Sequence, residues 1–271
     1  MAALQGPALG SRIGNLSARG FPVSAVDDEQ AAHRQRLFNR IAPMYDNLND
    51  VLSLGQHRIW KRMAVGWSGA KAGDSVLDIC CGSGDLAMLL AEKVGPRGKV
   101  TGLDFAEEQL ALARERQKKS YGRRNIEWCL GDALNLPFNV GQFDAVTVGY
   151  GLRNVRDVPR AFEEILRVLR PGMTMLLKES WLSRVPSILD FNKSTDPVTS
   201  SLQGWMLDNV VVPVASQFGF REDYEYLKES IENFHTGQEL EKIAAQAGFS
   251  KAVHYEIAGG LMGVLVVSKK R

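Results

Sequence analysis

The chain has little of what marks the more specialised protein classes. Three of its 271 residues are cysteine, Cys80, Cys81 and Cys129. An odd count without metal-ligand spacing argues against a disulfide framework or a metal site, and points to a reducing compartment. No apolar run approaches the roughly 20 residues of a membrane-spanning helix. Lys and Arg number 33 against 31 Asp and Glu, a formal net charge of +2, and no long basic run appears. No nucleic-acid partner is therefore expected. Acidic residues are missing from residues 1–26, where Arg12 and Arg19 stand among alanine, glycine and serine. That stretch lacks the apolar core of a secretory signal. It reads as an organellar transit peptide over residues 1–30, or as a disordered tail without an address.

What is present is concentrated from residue 76 onward. Val76-Leu77-Asp78-Ile79 reads as a short strand, and Cys80-Cys81-Gly82-Ser83-Gly84 breaks it into a glycine turn. Gly82 and Gly84 allow a tight turn and a close ligand approach. Residues 86–94 then read as a helix, completing the first half of a nucleotide-binding βαβ unit. Asp104 follows Gly84 by twenty residues, at the end of a second strand, where a carboxylate accepts both hydroxyl protons of a ribose. The spacing Gly82-x-Gly84-x-x-Ala87 also fits the loose dinucleotide fingerprint, so a nicotinamide enzyme is the competing reading. Asp78 separates the two. It precedes the glycines and can take a cationic amino group, in a position that nicotinamide enzymes usually keep apolar beside a pyrophosphate.

Strand-like and helix-like runs alternate over 76–79, 86–94, 99–103, 107–119, 126–130, 143–149 and 157–169. That spacing predicts a parallel sheet covered by helices on both faces. Ligands of such sheets lie beyond the carboxyl ends of the strands. Asp78, the glycine turn, Asp104, Asp132 and Gly149 all fall at or beside such ends. Residues 252–257 and 263–268 read as a closing antiparallel pair around Gly259-Gly260. Residues 195–235 form an excursion rich in large apolar side chains, either packed core or the wall of a substrate pocket. One domain over residues 31–271 accommodates all of this.

The series, including Gly131-Asp132-Ala133 and Leu169-Arg170-Pro171-Gly172, resembles the class I S-adenosylmethionine-dependent methyltransferases. Three motifs narrow the resemblance. Residues 38–61, with Met44-Tyr45-Asp46 and His57-Arg58-Ile59-Trp60-Lys61, are similar to the first signature of the ubiquinone/menaquinone-biosynthesis C-methyltransferases. Gly149-Tyr150-Gly151-Leu152-Arg153-Asn154-Val155 is similar to the second, and Tyr224-x-Tyr226-Leu227 with Ser230-Ile231 follows the family too. Cys80-Cys81-Gly82-Ser83, residues 189–194 and Gln203-Gly204-Trp205-Met206 look nearest to its plant plastid branch, which methylates a phytylated naphthoquinone.

The resemblance implies a Rossmann-like α/β fold with a mostly parallel sheet, a C-terminal antiparallel strand and a helical substrate lid over 195–235. It implies S-adenosylmethionine as cofactor, held by Asp78, Gly82, Ser83, Gly84, Asp104, Asp132, Ala133 and Gly149, with no metal. Gly149 stands where bacterial relatives carry serine. Arg153, Asn154 and Tyr45 would promote deprotonation of the acceptor. Because a guanidinium stays protonated, Arg153 is read as fixing a phenolate, with an ordinary salt bridge as the alternative. Asn154 would orient the ring or a water, and Tyr45 would cap the cofactor or act as base. The implied reaction is C-methylation of a prenylated 1,4-naphthoquinol in a plastid, by a protein soluble or peripheral to the membrane. A benzoquinol of the ubiquinone pathway is the alternative acceptor. One departure stands out: about ten surplus residues, 173–182, follow the Pro-Gly turn. Either 174–178 takes over the fifth strand or the surplus loops out before Ile188. A variant impaired by this segment, binding without turnover, is the remaining alternative.

Overall fold

The computed structural model describes residues 53, 55–120, 125–171, 186–217, 219 and 221–270. Tyr45, the expected leader and the surplus at 173–182 lie outside the described residues. Helix α1 (Gln56–Trp67) precedes the alternating series β1 (Ser75–Ile79), α2 (Asp85–Val94), β2 (Lys99–Asp104), α3 (Glu107–Lys119), β3 (Ile126–Leu130) and β4 (Ala145–Gly149). A single 3-10 turn (Leu152–Asn154) leads to α4 (Val158–Val168) and β5 (Ser187–Phe191). Helix α5 (Pro197–Met206) runs through a π-helical turn (Leu207–Val211) into α6 (Val212–Gln217), then α7 (Arg221–Glu232) and α8 (Gly237–Gln246). Strands β6 (Lys251–Ile257) and β7 (Met262–Ser268) close the chain.

The seven strands form one sheet in the order β3-β2-β1-β4-β5-β7-β6. β7 runs antiparallel to both its neighbours, and the other pairings are parallel. Period-two alternation divides the core between the two faces. Leu77, Ile79, Val146, Val148 and Ile188 join α4 and α8 on one side, through Phe162, Ile165 and Leu240. Val76, Ala145 and Leu189 pack on the other side against Ala64 and Val65 of α1 and Leu86, Leu90 and Val94 of α2. Strand order reverses between β1 and β4, which opens a crevice at their carboxyl ends.

Helix starts follow local chemistry. Asp157 caps α4 by accepting from Arg160 N at 2.9 Å, with Pro159 in the first turn. Thr236 and Glu239 form a reciprocal capping box at α8. Two sequence expectations shift. β4 begins at Ala145 rather than 143, because the Asp144 carboxylate is drawn to the Ser75 amide (3.0 Å) and Arg170 (2.7 Å). The fifth strand, which the sequence left open between two placements, is Ser187–Phe191. Pro186, which has no N–H to donate, stands just outside the ladder, and its carbonyl accepts from Val267 N at 3.2 Å.

Candidate functional site

The crevice is organised around two buried carboxylates. Asp78 is the fourth residue of β1, and Thr147 of β4 is its register partner, so both side chains rise on one face of the sheet. Thr147 Oγ1 donates to Asp78 Oδ1 at 2.7 Å. Asp78 Oδ2 is buried and has no hydrogen-bond partner among the described residues. Burial raises the Asp78 pKa from 3.8 to about 7, against the Thr147 hydroxyl and the Ala87 amide, which lower it. A fully buried acceptor facing a cavity fits a cationic ligand group.

Asp104 ends β2. Its Oδ2 accepts from Gly82 N at 2.8 Å and its Oδ1 from Ala106 N at 3.0 Å, which fixes the carboxylate against the glycine turn. The Phe105 amide also bonds this carboxylate, whose four lone pairs leave acceptor capacity for a ligand hydroxyl. Burial holds its pKa above the ordinary range, partly offset by these amides. Gly82 and Gly84 both take positive φ, 52° and 89°. A Cβ on Gly84 would meet the Trp128 ring at 2.5 Å, so this glycine is required by packing beneath the turn.

Asp78, Gly82, Ser83, Asp104, Gly149 and Asn154 line one cavity. Asp104, Asp132, Ala133 and Asn154 line a second cavity alongside. Gly84 and Arg153 line neither. Ser83 Oγ accepts from Arg116 at 2.7 Å, and Arg116 also pairs with Asp85. Asp132 Oδ1 accepts from Leu134 N at 2.9 Å and holds its own turn. Burial raises the Cys80 and Cys81 thiols well above their ordinary range, so both are packing groups beside the turn. No group of three His, Cys, Asp or Glu among the described residues is placed to hold a metal ion.

The second-signature residues divide. Asn154 lies where the two cavities meet, and its Oδ1 accepts from the Tyr226 hydroxyl at 3.0 Å. Arg153 turns away. It pairs with Asp190 of β5 at 2.5 Å, with both side chains 5% exposed, and donates to the Tyr150 carbonyl at 2.7 Å. Its guanidinium also stacks 5.0 Å from the Phe191 ring centroid.

A third cavity is largely apolar and shares Tyr150 with the first. Trp60, Phe191, Met206, Leu207, Tyr224 and Met262 are among its walls, and His57 faces it with Nδ1 2.9 Å from Ser53 Oγ. The excursion after β5 therefore walls a pocket. Sequence reading assigned no role to Tyr150, Lys61, Thr147 or His57. Thr147 carried a signal as a polar residue inside an apolar strand, and His57, Lys61 and Tyr150 lay within the two signatures.

A switch-point crevice with an acid before the glycine turn and another at the end of β2 defines a class I S-adenosylmethionine-dependent methyltransferase. A solved S-adenosylmethionine-dependent methyltransferase from Aquifex aeolicus shares the fold at a TM-score of 0.56 and 18% identity, over 82% of this chain and 96% of that one. The chain belongs to the ubiE/COQ5 methyltransferase family, whose model matches residues 25–269. It is 63% identical over 238 residues to the Arabidopsis thaliana chloroplastic 2-phytyl-1,4-beta-naphthoquinone methyltransferase, covering 87% of each chain. It is 52% identical over 235 residues to the 2-phytyl-1,4-naphtoquinone methyltransferase of Nostoc punctiforme, covering 87% of this chain and 97% of that one.

Proposed function

We propose that this chain methylates the ring carbon beside the prenyl chain of a reduced 2-phytyl-1,4-naphthoquinone, in a plastid. The observation that carries the reading is the apolar cavity adjoining the polar one beside the glycine turn, with Tyr150 as a common wall. The names of the Arabidopsis and Nostoc relatives support the acceptor class, and the chloroplastic relative supports the compartment.

Bound S-adenosylmethionine supplies an electrophilic methyl group on a sulfonium. Asp78 would hold the cofactor's ammonium, Asp104 its ribose hydroxyls, and Asp132-Ala133 the adenine, with the Gly82–Gly84 turn beside it. In the acceptor, loss of one phenolic proton makes the unsubstituted ring carbon electron-rich. Methyl transfer to that carbon would break the donor's S–CH3 bond, release S-adenosylhomocysteine and be followed by loss of the ring hydrogen as a proton. A dry apolar wall would favour it, because acceptor anion and cationic donor neutralise one another. Asn154, braced by Tyr226, orients the acceptor oxygen or a water. Arg153 acts as a positioning residue: its charge is neutralised by Asp190, and the pair fixes the Tyr150–Asn154 turn.

A phytylated acceptor partitions into membranes. Val198, Leu202, Trp205 and Val210 are exposed on the helical segment that walls the apolar cavity through Met206 and Leu207. That stripe supports peripheral contact with a bilayer. No described helix is long and apolar enough to cross one. Acceptor profiling tests the reading. Demethylphylloquinol should be methylated faster than a prenylated benzoquinol, and the reverse preference would contradict it.

A further inference from the structure

The cavity beside the glycine turn is strongly acidic for a site that takes a zwitterionic ligand tail. Asp78, Asp85 and Asp104 line it, and Lys61 is the one basic side chain among its described lining residues. The methionine end of the cofactor carries an ammonium and a carboxylate. With Asp78 taking the ammonium, as in the reading above on which this inference rests, the carboxylate faces net negative charge unless a cation meets it. The first helical position of α2 does not relieve this, since Asp85 already occupies it.

Lys61 projects from α1, ahead of the sheet in the chain, onto the same face as Asp78. Its side chain is 8% exposed, and Nζ lies 2.6 Å from Asp85 Oδ2 and 5.7 Å from the Tyr150 ring centroid. One ammonium proton is used on Asp85, and two donors remain for a ligand. Asp85 does not depend on Lys61, because Arg116 pairs with its other oxygen. A buried lysine poised between a doubly paired acid and an aromatic face can share its charge with an incoming carboxylate. We propose that Lys61 binds the carboxylate of S-adenosylmethionine, so that α1 completes the cofactor site.

The test is calorimetry with two ligands, S-adenosylhomocysteine and its decarboxylated analogue, on wild type, Lys61→Met and Lys61→Arg. Wild type should bind the carboxylated ligand about tenfold or more tightly than the analogue, as for a charge-assisted contact. Lys61→Met should erase that difference by weakening only the carboxylated ligand, and Lys61→Arg should restore part of it. Equal wild-type affinity for both ligands would overturn the proposal. So would a Lys61→Met protein that loses both ligands by one factor, since Lys61 would then only shape the cavity. Wild type binding neither ligand would overturn the cofactor site itself. Should Lys61→Met melt before it can be titrated, the wild-type comparison and Lys61→Arg decide the matter alone.

Discussion

Asp78 carries the sharpest consequence at the scale of single residues. Its carboxyl titrates at about 7 in the folded protein against 3.8 unexposed to burial. Between those values the native state binds the extra proton. The ligand-free protein therefore keeps the full contribution below about pH 4 and loses it as pH rises through 7, by up to roughly 4 kcal/mol. Urea unfolding at a series of pH values should show this slope, and Asp78→Asn should flatten it. Cofactor affinity should move the opposite way and tighten as pH rises through 7, because a cationic ligand binds the ionised carboxylate. Arg153 and Asp190 form a second residue-scale case. Removing either member of this buried pair should destabilise the fold by about 3–5 kcal/mol, seen as a lowered unfolding midpoint. A catalytic contact alone would leave that midpoint unchanged. The pair was not legible in the sequence, since Asp190 lies 37 positions from Arg153 and only the sheet brings them together.

Elements were the most readable level. β1, β2 and β3 follow from short apolar runs ended by glycine or acid, and the intervening helices from their length and periodicity. β5 could not be placed by pattern alone, because 174–178 and 188–191 both read as strands. The bond from Val267 N to the Pro186 carbonyl and the pairing of β5 with both β4 and β7 decide it. The π-helical turn at Leu207–Val211 left no sequence signal, because its apolar residues also fit an ordinary helix. The glycine turn joins two elements and allows a direct comparison. Gly82→Ala makes only an ordinary contact, with Gln109 Oε1 3.6 Å from the added Cβ, and should cost about 1–2 kcal/mol for its positive φ. Gly84→Ala adds a collision with the Trp128 ring and should cost more. Thermal melts of the two variants check the order.

At the scale of the whole molecule, the sheet sets the polar and apolar cavities on either side of Tyr150, and the helices after β5 build the apolar one. Their outer surface bears Leu202 at 50% and Trp205 at 58% exposure. The double substitution Leu202→Ser and Trp205→Ser should leave cofactor binding intact and reduce co-sedimentation with lipid vesicles. Aromatic and apolar enrichment of this stretch was visible in the sequence. Which side chains face the cavity and which face outward was not, because a helix hydrophobic on several sides has no single face to read.

The most direct measurement is methyl transfer from methyl-labelled S-adenosylmethionine to one acceptor, 2-phytyl-1,4-naphthoquinone, presented either oxidised or pre-reduced with dithionite. The account predicts label on the ring carbon beside the phytyl chain from the quinol alone, because only the quinol yields an electron-rich carbon on losing a proton. Equal rates on both forms, or label on oxygen, would contradict it.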